Sequence, residues 1–280
     1  MWPSGSPGPA ALEMSQDRQV EKDGFRSLEI PTASYSRCGN AGRAFFYSGG
    51  VRLPLRAQDP TDGYDGKGQA VRRGPDDITR AWEDLRGRLL ILEAFVSFER
   101  ELSIVAVRSR EGEIRYYPLV ENEHRDGILC QTIAPAPDVS EDLQSQAEAY
   151  CRRVMEAFDY VGVIAIELFQ AGTELLANEM APRVHNSGHW TQDGATCCQF
   201  ENHLRAVSGL PLGDIEPVES PTMINLIGEV PEVDHLLSLP GVRLHLYGKA
   251  PRPGRKVGHV NVVGNHPETV AELRRLTGLD

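Results

Sequence analysis

The sequence predicts an α+β fold in which helices and antiparallel strands follow one another along 280 residues. Two apolar runs, 161–169 and 174–180, are separated by Gln-Ala-Gly-Thr, which is typical of an antiparallel hairpin. Apolar residues recur at helical spacing over 140–158, and a second helix is predicted over 199–208. Three further strand-like segments lie between residues 221 and 262. These observations together favour mixed helices and antiparallel sheets.

Composition narrows the class of protein. The chain has 40 acidic and 29 basic residues and a net charge of -11, which argues against nucleic acid as a main partner. No apolar run reaches about 18 residues, and the first residues lack a basic flank before a hydrophobic segment, so we predict neither a membrane span nor a signal peptide. The five cysteines show no CxxC spacing and are interpreted as reduced thiols. We therefore expect a soluble, cytoplasmic protein.

The first third of the chain alternates between regular and irregular patterns. Residues 1–15 are rich in Pro, Gly and Ser and are expected to form a disordered tail. A short helix is predicted over 16–28, before a strand-like segment at 29–32. An amphipathic helix over 76–85 and a strand over 88–96 follow.

The central and C-terminal elements are predicted in the same way. Strands at 102–107 and 114–119 are joined by a hairpin connection, whereas the polar sequence around His124 is interpreted as a loop. After the strands of the C-terminal part, a closing helix is predicted over 267–276. The segment 249–256 gathers four basic residues and two prolines in an otherwise acidic protein, and a solvated basic loop is the less favoured alternative to a functional one.

The hairpin carries two facing carboxylates. If its turn is centred on Gly172, Glu167 and Glu179 lie directly opposite each other, with Cβ atoms roughly 5 Å apart. Because like charges repel, the pair needs a shared proton, a cationic side chain or a divalent cation, and we favour the divalent cation. The alternative is that one carboxylate points to solvent at a hairpin edge.

The sequence GYDGKGQ over 63–69 is a candidate phosphate-binding loop. Its glycines allow backbone N–H groups to converge on an anion, and Lys67 adds positive charge. On spacing alone, a plain β-turn remains the favoured alternative.

The run NEMAPRVHNSGHWTQDGA, with QFENHLRAVSGLPLG after it, closely resembles ATP-grasp enzymes of the 5-(carboxyamino)imidazole ribonucleotide synthase family. The segments QDR..EK, GYDGKGQ, ILEAFV.FERELS, YYPLVENEHRDGIL, IAPAP and LYGKAPRPGRKVGHVNV stand in matching order, so the resemblance covers most of residues 16–266. It implies a two-lobed ATP-grasp fold with a small lobe over 16–98, in which 35–60 are atypical. A large lobe over 99–212 and a β-rich domain over 213–280 would complete it.

The resemblance also implies an ATP site. The residues implied in nucleotide binding are Gly63, Gly66, Lys67, Gly68, Gln69, Glu93, Ala94, Phe95, Val96, Glu101, His124, Asn178 and Glu179. Of these, Ala94 to Val96 would read adenine through their backbone and Glu101 would hold the ribose. Glu167 and Glu179 would bind Mg²⁺, with Mn²⁺ as an alternative.

The same resemblance implies the reaction: bicarbonate is activated by ATP as carboxyphosphate and transferred to aminoimidazole ribonucleotide. Donors for bicarbonate would come from Arg183, His185, Asn186 and Ser187, while Tyr64 and Asp65 would close over the acceptor. Lys249, Arg255 and Lys256 would bind the phosphate of the ribonucleotide. The expected partners are these small molecules and a second copy of the chain in a homodimer.

Two departures from the family pattern lower the expected activity. The sequence shows no Rossmann-like domain before residue 16, and Gln58 stands where the family has a phosphate-contacting lysine. We therefore expect weak carboxylation by this chain alone. The alternatives are another ATP-grasp ligase or a truncated, catalytically impaired protein with a partial nucleotide site.

Overall fold

The structure, a computed structural model, describes residues 9–38, 55–58, 69–72 and 90–280. The strands are β1 Tyr35–Cys38, β2 Leu55–Gln58, β3 Gln69–Arg72, β4 Leu90–Ala94, β5 Arg100–Arg108, β6 Ile114–Tyr116, β7 Val120–Arg125, β8 Ile128–Ile133, β9 Gly162–Ala171, β10 Glu174–Ala181, β11 Thr222–Ile227, β12 Val242–Leu246 and β13 Lys256–Val262. The α-helices are α1 Pro9–Gln16, α2 Arg18–Ser27, α3 Glu141–Ala157, α4 Thr191–Gly194, α5 Gln199–Ser208, α6 Val233–Ser238 and α7 Pro267–Leu276.

These elements form two antiparallel sheets. The smaller sheet has the order β1-β4-β2-β3, and the larger has the order β10-β9-β5-β7-β8-β11-β13-β12, with β6 paired to β5. The predicted α+β class is thereby confirmed. The predicted helix over 76–85, most of the atypical stretch and most of the glycine loop, including Gly63, Tyr64, Asp65, Gly66, Lys67 and Gly68, lie outside the described residues.

The N-terminal segment differs from the prediction. Pro9–Gln16 is helical, so the expectation of a disordered tail is wrong for residues 9–15. Ala11 and Met14 lie three residues apart on one face of α1 and are both buried, and Met14 packs on Gly24 of α2. The strong helix formers Ala, Leu, Glu and Met outweigh the composition of the preceding residues.

The hairpin has the predicted strands and the predicted Glu167–Glu179 pair, but the register next to the turn differs by one residue from the prediction, since Glu174 lies opposite Ala171. Its strands β9 and β10 are joined at Gly172, whose φ of 65° is favoured by glycine. Glu179 lies opposite Glu167, and the register shifts between Ala177 and Glu179. Asn178 is therefore the extra residue of a bulge, which frees it from the strict alternation of the strand.

A second hairpin replaces the predicted loop around His124. β7 and β8 are joined by Asp126 and Gly127, which have positive φ values of 52° and 75°. Such values suit a tight two-residue turn, and Asp-Gly is a strong indicator of one. His124 consequently lies on a strand of the large sheet, and the loop prediction was wrong.

The predicted helices over 140–158 and 199–208 are confirmed. Ser140 caps α3 by accepting the Leu143 N–H at 3.2 Å, and Gly209 ends α5 with a φ of 70°. The C-terminal strands are present, but they extend the large sheet through the β8–β11 pair. The proposed boundary at residue 213 thus falls beside a continuous sheet.

Candidate active site

A cleft lies between the smaller sheet and the β9–β10 hairpin. Its lining residues are Ala33, Glu93, Ala94, Phe95, Val96, Phe98, Phe169 and Asn178. The rings of Phe98 and Phe169 stack with centroids 4.6 Å apart and planes 12° from parallel. The cleft therefore offers a flat aromatic wall beside strand-end backbone, which suits a planar ring. Five of the residues that line the cleft are among those predicted from the sequence to bind the nucleotide.

A buried lysine, to which the sequence assigned no role, lies behind this cleft. Lys22 Nζ lies 2.6 Å from Glu93 Oε1, and the lysine side chain is only 1% exposed. The same ammonium donates to Thr32 Oγ1 at 3.0 Å and to the Asn178 carbonyl at 3.3 Å. Lys22 thereby ties helix α2 to both walls of the cleft.

Cationic or imidazole groups lie against both facing carboxylates. Arg18 forms an ion pair with Glu179 and a second one, at 2.7 Å, with the fully buried Glu21. Burial raises the pKa of Glu21, an effect that the charge of Arg18 opposes. His185 Nε2 lies 3.5 Å from Glu167 Oε1. The expected repulsion is thus partly offset by a cationic side chain, one of the three routes that the sequence left open.

The donor set also fits a hard divalent cation. The side chains of Glu167 and Glu179 are 18% and 31% exposed, so both are accessible from solvent. In the described ranges, no group of three or more histidine, cysteine or carboxylate side chains could hold a metal alone. Two carboxylates are a typical protein contribution to a Mg²⁺ site that is completed by substrate phosphate and water.

The loop after β10 positions short polar groups beside Glu167. His185 Nδ1 faces Ser187 Oγ at 2.9 Å, so its other ring nitrogen points to the carboxylate. Burial lowers the pKa of His185 to about 4, although the charge of Glu167 acts in the opposite direction. The imidazole is therefore neutral at pH 7, with its proton on Nε2.

The neighbouring asparagine is held by a reciprocal amide pair. Asn186 Nδ2 donates to Asn225 Oδ1 at 3.0 Å, and Asn225 Nδ2 donates to Asn186 Oδ1 at 2.7 Å. Asn225 lies on β11, is 1% exposed and also donates to the Leu129 carbonyl. One N–H of Asn186 remains for a ligand.

His124 and Glu101 connect the nucleotide side to the opposite end of the site. The imidazole contacts the Glu101 carboxylate on the neighbouring strand. Burial opposes the charged form, but the hydrogen bond to Glu101 and the charge of Glu167 raise the pKa of His124. The positive charge of Lys256 lowers the pKa of His124, His185 and His189, so this lysine belongs to the same electrostatic cluster.

The other predicted basic residues lie further out. Lys249 Nζ lies 5.2 Å from the centre of the Tyr247 ring, and Arg255 Nη1 donates to the Ala250 carbonyl at 3.3 Å. Arg183 is exposed, and its Nη1 donates to the Val184 carbonyl at 3.0 Å. Of these three cations, Arg183 acts on the site directly, since its charge lowers the pKa of His185.

A histidine cluster around the buried His259 has no counterpart in the sequence-based prediction. His259 stacks on His245 at 4.5 Å between ring centres, and its Nδ1 lies 2.6 Å from the Tyr247 hydroxyl. His245 Nε2 pairs with Asp193 Oδ2 at 2.7 Å. Burial lowers the pKa of His259 to about 3, so its ring is neutral. Only the repeated histidines in the sequence could have indicated such a cluster.

The two sheets, the cleft between them and the facing carboxylates define an ATP-grasp protein. The family model described as the ATP-grasp domain matches residues 24–200, and the model described as the phosphoribosylaminoimidazole carboxylase C-terminal domain matches 222–273. The chain belongs to the N5-carboxyaminoimidazole ribonucleotide synthase family, as its relatives show.

Among these relatives is the N5-carboxyaminoimidazole ribonucleotide synthase of Pseudomonas aeruginosa, 47% identical over 256 residues that cover 91% of this chain and 70% of that protein. The crystal structure of the synthetase from Thermus thermophilus superposes with a TM-score of 0.92 at 50% identity, covering 97% of this chain and 75% of that one. A structure from Aspergillus clavatus, in complex with ADP and 5-aminoimidazole ribonucleotide, has a TM-score of 0.87 at 30% identity. The match covers 97% of this chain and 75% of that one.

Within the described residues, no helix combines the length and apolar character needed to cross a membrane.

Proposed function

We propose that this protein carboxylates 5-aminoimidazole ribonucleotide with bicarbonate, consuming ATP and releasing ADP and phosphate. The observation that carries the proposal is the pair of facing carboxylates, Glu167 and Glu179, between an aromatic cleft and a loop of hydrogen-bond donors. The product is N5-carboxyaminoimidazole ribonucleotide, so the protein is an ATP-dependent ligase of purine biosynthesis.

The adenine ring occupies the cleft. The backbone of Ala94 to Val96 reads its edge, while Phe98 and Phe169 supply the apolar wall. Glu101 accepts hydrogen bonds from the ribose hydroxyls, and its contact with His124 fixes the orientation of the carboxylate. The glycine loop with Lys67 covers the phosphates, and Gln69 closes that loop.

Glu167 and Glu179 would hold Mg²⁺, or Mn²⁺ in its place, which would neutralise charge on the phosphates during transfer. Arg18 balances the negative charge of Glu179 from the side of helix α2. The position of Asn178 in the bulge directs it to the nucleotide cleft, while Glu179 keeps facing Glu167.

The chemistry takes two steps. A bicarbonate oxygen attacks the γ-phosphorus, the bond to the β-phosphate oxygen breaks, and ADP leaves with that electron pair. The amine of the ribonucleotide then attacks the carboxyl carbon of carboxyphosphate, loses a proton and displaces phosphate. Arg183, His185, Asn186 and Ser187 orient bicarbonate through their donors, so that positioning supplies much of the rate.

The ribonucleotide binds at the solvent-facing edge of the site. Lys249, Arg255 and Lys256 anchor its phosphate, and Tyr64 and Asp65 close over its base. In this proposal the small lobe spans 16–98, the large lobe 99–212 and the C-terminal domain 213–280. The assembly is a cytoplasmic homodimer.

The test is ADP release with all substrates present and with bicarbonate or ribonucleotide omitted in turn. We expect release to depend on both substrates and on added Mg²⁺. Dependence on a different carboxylate or amine would assign the chain to another ATP-grasp ligase. The weak turnover expected from the sequence stays a prediction, and a rate on the order of 10 per second would contradict it.

A further inference from the structure

The side chain of Gln199 is fully buried at the first turn of helix α5, directly behind the loop that begins at His185. Its Oε1 accepts the backbone N–H of His185 at 2.9 Å, and its Nε2 donates to the carbonyl of the same residue at 2.7 Å. The second hydrogen on Nε2 is directed at His189 Nδ1, 3.0 Å away. One carboxamide thus binds both backbone groups of His185 and one ring of the same loop.

Only a carboxamide satisfies these three contacts. The backbone N–H requires an acceptor and the carbonyl requires a donor, and a carboxamide supplies both while remaining uncharged in a buried position. The fit is also sterically tight, because a Cβ built at Gly188 would lie 2.7 Å from Gln199 Oε1. Thr191 completes the arrangement, since its hydroxyl donates to the Gly188 carbonyl at 2.6 Å and accepts the Gln199 N–H at 3.0 Å.

Fixing the backbone of His185 sets the position and direction of its Cα–Cβ bond, from which the ring reaches Ser187 and Glu167. The ring Nδ1 lies 2.9 Å from Ser187 Oγ, and Nε2 is directed at Glu167 Oε1. A rotation of the His185 backbone would move both contacts together. The orientation of the ring toward Glu167 therefore depends on the loop backbone that Gln199 binds.

We infer that Gln199 is a positioning residue for the reaction, which sets the orientation of His185 toward Glu167 through the loop backbone. This inference rests on the proposed function, because it assigns His185 to the bicarbonate side of that site. The hydrogen bonds of the Gln199 side chain go to the loop and not to Glu167, so it acts through His185.

The test compares Gln199→Met with Gln144→Met. Gln144 is a matched control, since its Oε1 also accepts a backbone N–H, that of Leu119, at 2.9 Å, but on helix α3 at the far side of the large sheet. We expect Gln199→Met to lower kcat about 100-fold, as a displacement of about 1 Å at a reacting group does. The KM for ATP should change less than about twofold, because the cleft is untouched.

Gln144→Met should keep kcat within about twofold of the parent, even if both variants lose thermal stability. Two outcomes overturn the inference: a Gln199→Met enzyme with parental kcat, or an equal loss of kcat in the control at an equal thermal midpoint.

Nitrogen-15 NMR of the histidine ring nitrogens tests the inference independently of enzymatic activity. In the parent, His185 should show a single tautomer protonated at Nε2, and in Gln199→Met a mixture. In Gln199→Glu, a carboxylate replaces the donor beside His189 Nδ1, so His189 should titrate at a higher pH than in the parent. Absence of ribonucleotide-dependent ADP release in the parent would refute the proposed function alone, whereas unchanged His185 resonances in Gln199→Met would refute the positioning role.

Discussion

Polar groups are accommodated differently on the two sides of the β9–β10 hairpin. On the side of helix α2, charged side chains form ion pairs: Lys22 with Glu93 and Arg18 with Glu21 are buried or nearly so, whereas the Glu179 partner of Arg18 is partly exposed. On the side of the following loop, burial keeps the histidines neutral, and carboxamides hold the backbone. The nucleotide side is therefore ionic and the bicarbonate side is dipolar.

This difference has a consequence for Glu167. A protonated His185 would form an ion pair with that carboxylate and compete with a divalent cation for it. Because burial lowers the pKa of His185 to about 4, the ring stays neutral at 3.5 Å from Glu167 and leaves the negative charge of that carboxylate available. A neutral imidazole beside Glu167 is thus compatible with a metal site, whereas Glu179 already shares its negative charge with the cationic Arg18.

The largest expected effect is acid destabilisation of the dipolar side. Burial lowers the pKa of His185 to about 4 and the pKa of His189 and His259 to about 3, below the roughly 6.5 of an unfolded histidine. A depressed folded pKa gives stability that is present above about pH 6.5 and is lost as pH falls toward the folded pKa. Each such histidine contributes up to about 1.4 kcal/mol per pH unit.

The measurement is the free energy of unfolding in urea at pH 7.5, 6.5, 5.5 and 5.0. We expect a steep decrease below pH 6.5, and a shallower one in His259→Asn, which binds no extra proton on unfolding at that position. A free energy that is constant between pH 7.5 and 5.0 would show that these rings are not held neutral by the fold.

The ionic side should respond most strongly to loss of Lys22. Lys22→Met removes the ammonium 2.6 Å from the buried Glu93 carboxylate, and breaking such a pair destabilises by about 3 to 5 kcal/mol. Urea unfolding at pH 7.5 measures the loss. The double variant Lys22→Met with Glu93→Gln removes both charges and should lose less than the single variant. Equal losses in the two variants would mean that the pair contributes nothing specific.

Activity should respond most strongly to Glu179. Glu179→Gln should lower ribonucleotide-dependent ADP release by at least about 100-fold. The reason is that the variant loses a negative charge proposed to hold the divalent cation on the phosphate that is transferred. The thermal midpoint should change little, because the repulsion from Glu167 is relieved while Arg18 loses its ion pair with Glu179 and keeps the one with Glu21. Glu174→Gln, at the exposed end of the same strand, is the control and should retain activity. Gross unfolding of Glu179→Gln would indicate a structural role instead.

The sequence was most informative where structure depends on neighbouring residues. A turn centred on Gly172 predicted that Glu167 faces Glu179, and the pair is present, but for a different reason. The observed turn would place Asn178 opposite Glu167, and the bulge at Asn178 brings Glu179 into that position. The same approach missed the β7–β8 hairpin, although Asp126-Gly127 is a strong turn indicator, because the flanking residues are polar on one face.

Contacts between distant segments could not be predicted in this way. Lys22 on helix α2 pairs with Glu93 on β4, and Asn186 pairs with Asn225 on β11, which adjoins β8. Gln199 lies in a helix whose apolar spacing was recognised, but nothing in that spacing indicates that its carboxamide binds the loop backbone. Side-chain partners of this kind depend on the tertiary arrangement, which a single sequence does not specify.

The smallest expected effect on stability concerns His124. Unlike His185, His189 and His259, this histidine of the site has a raised pKa. Burial opposes its charge, but the hydrogen bond to Glu101 and the charge of Glu167 prevail. A raised folded pKa gives stability that is fully present below about pH 6.5 and is lost as pH rises through the folded pKa. Replacing Glu101 by Gln should therefore destabilise the fold more at pH 6 than at pH 9, by less than about 1 kcal/mol. Urea unfolding at both pH values measures it, with Glu113→Gln as the control, since Glu113 pairs with Arg115 and should show no such pH dependence. A loss of the same size at pH 6 and pH 9 would mean that His124 is neutral throughout, as His185, His189 and His259 are.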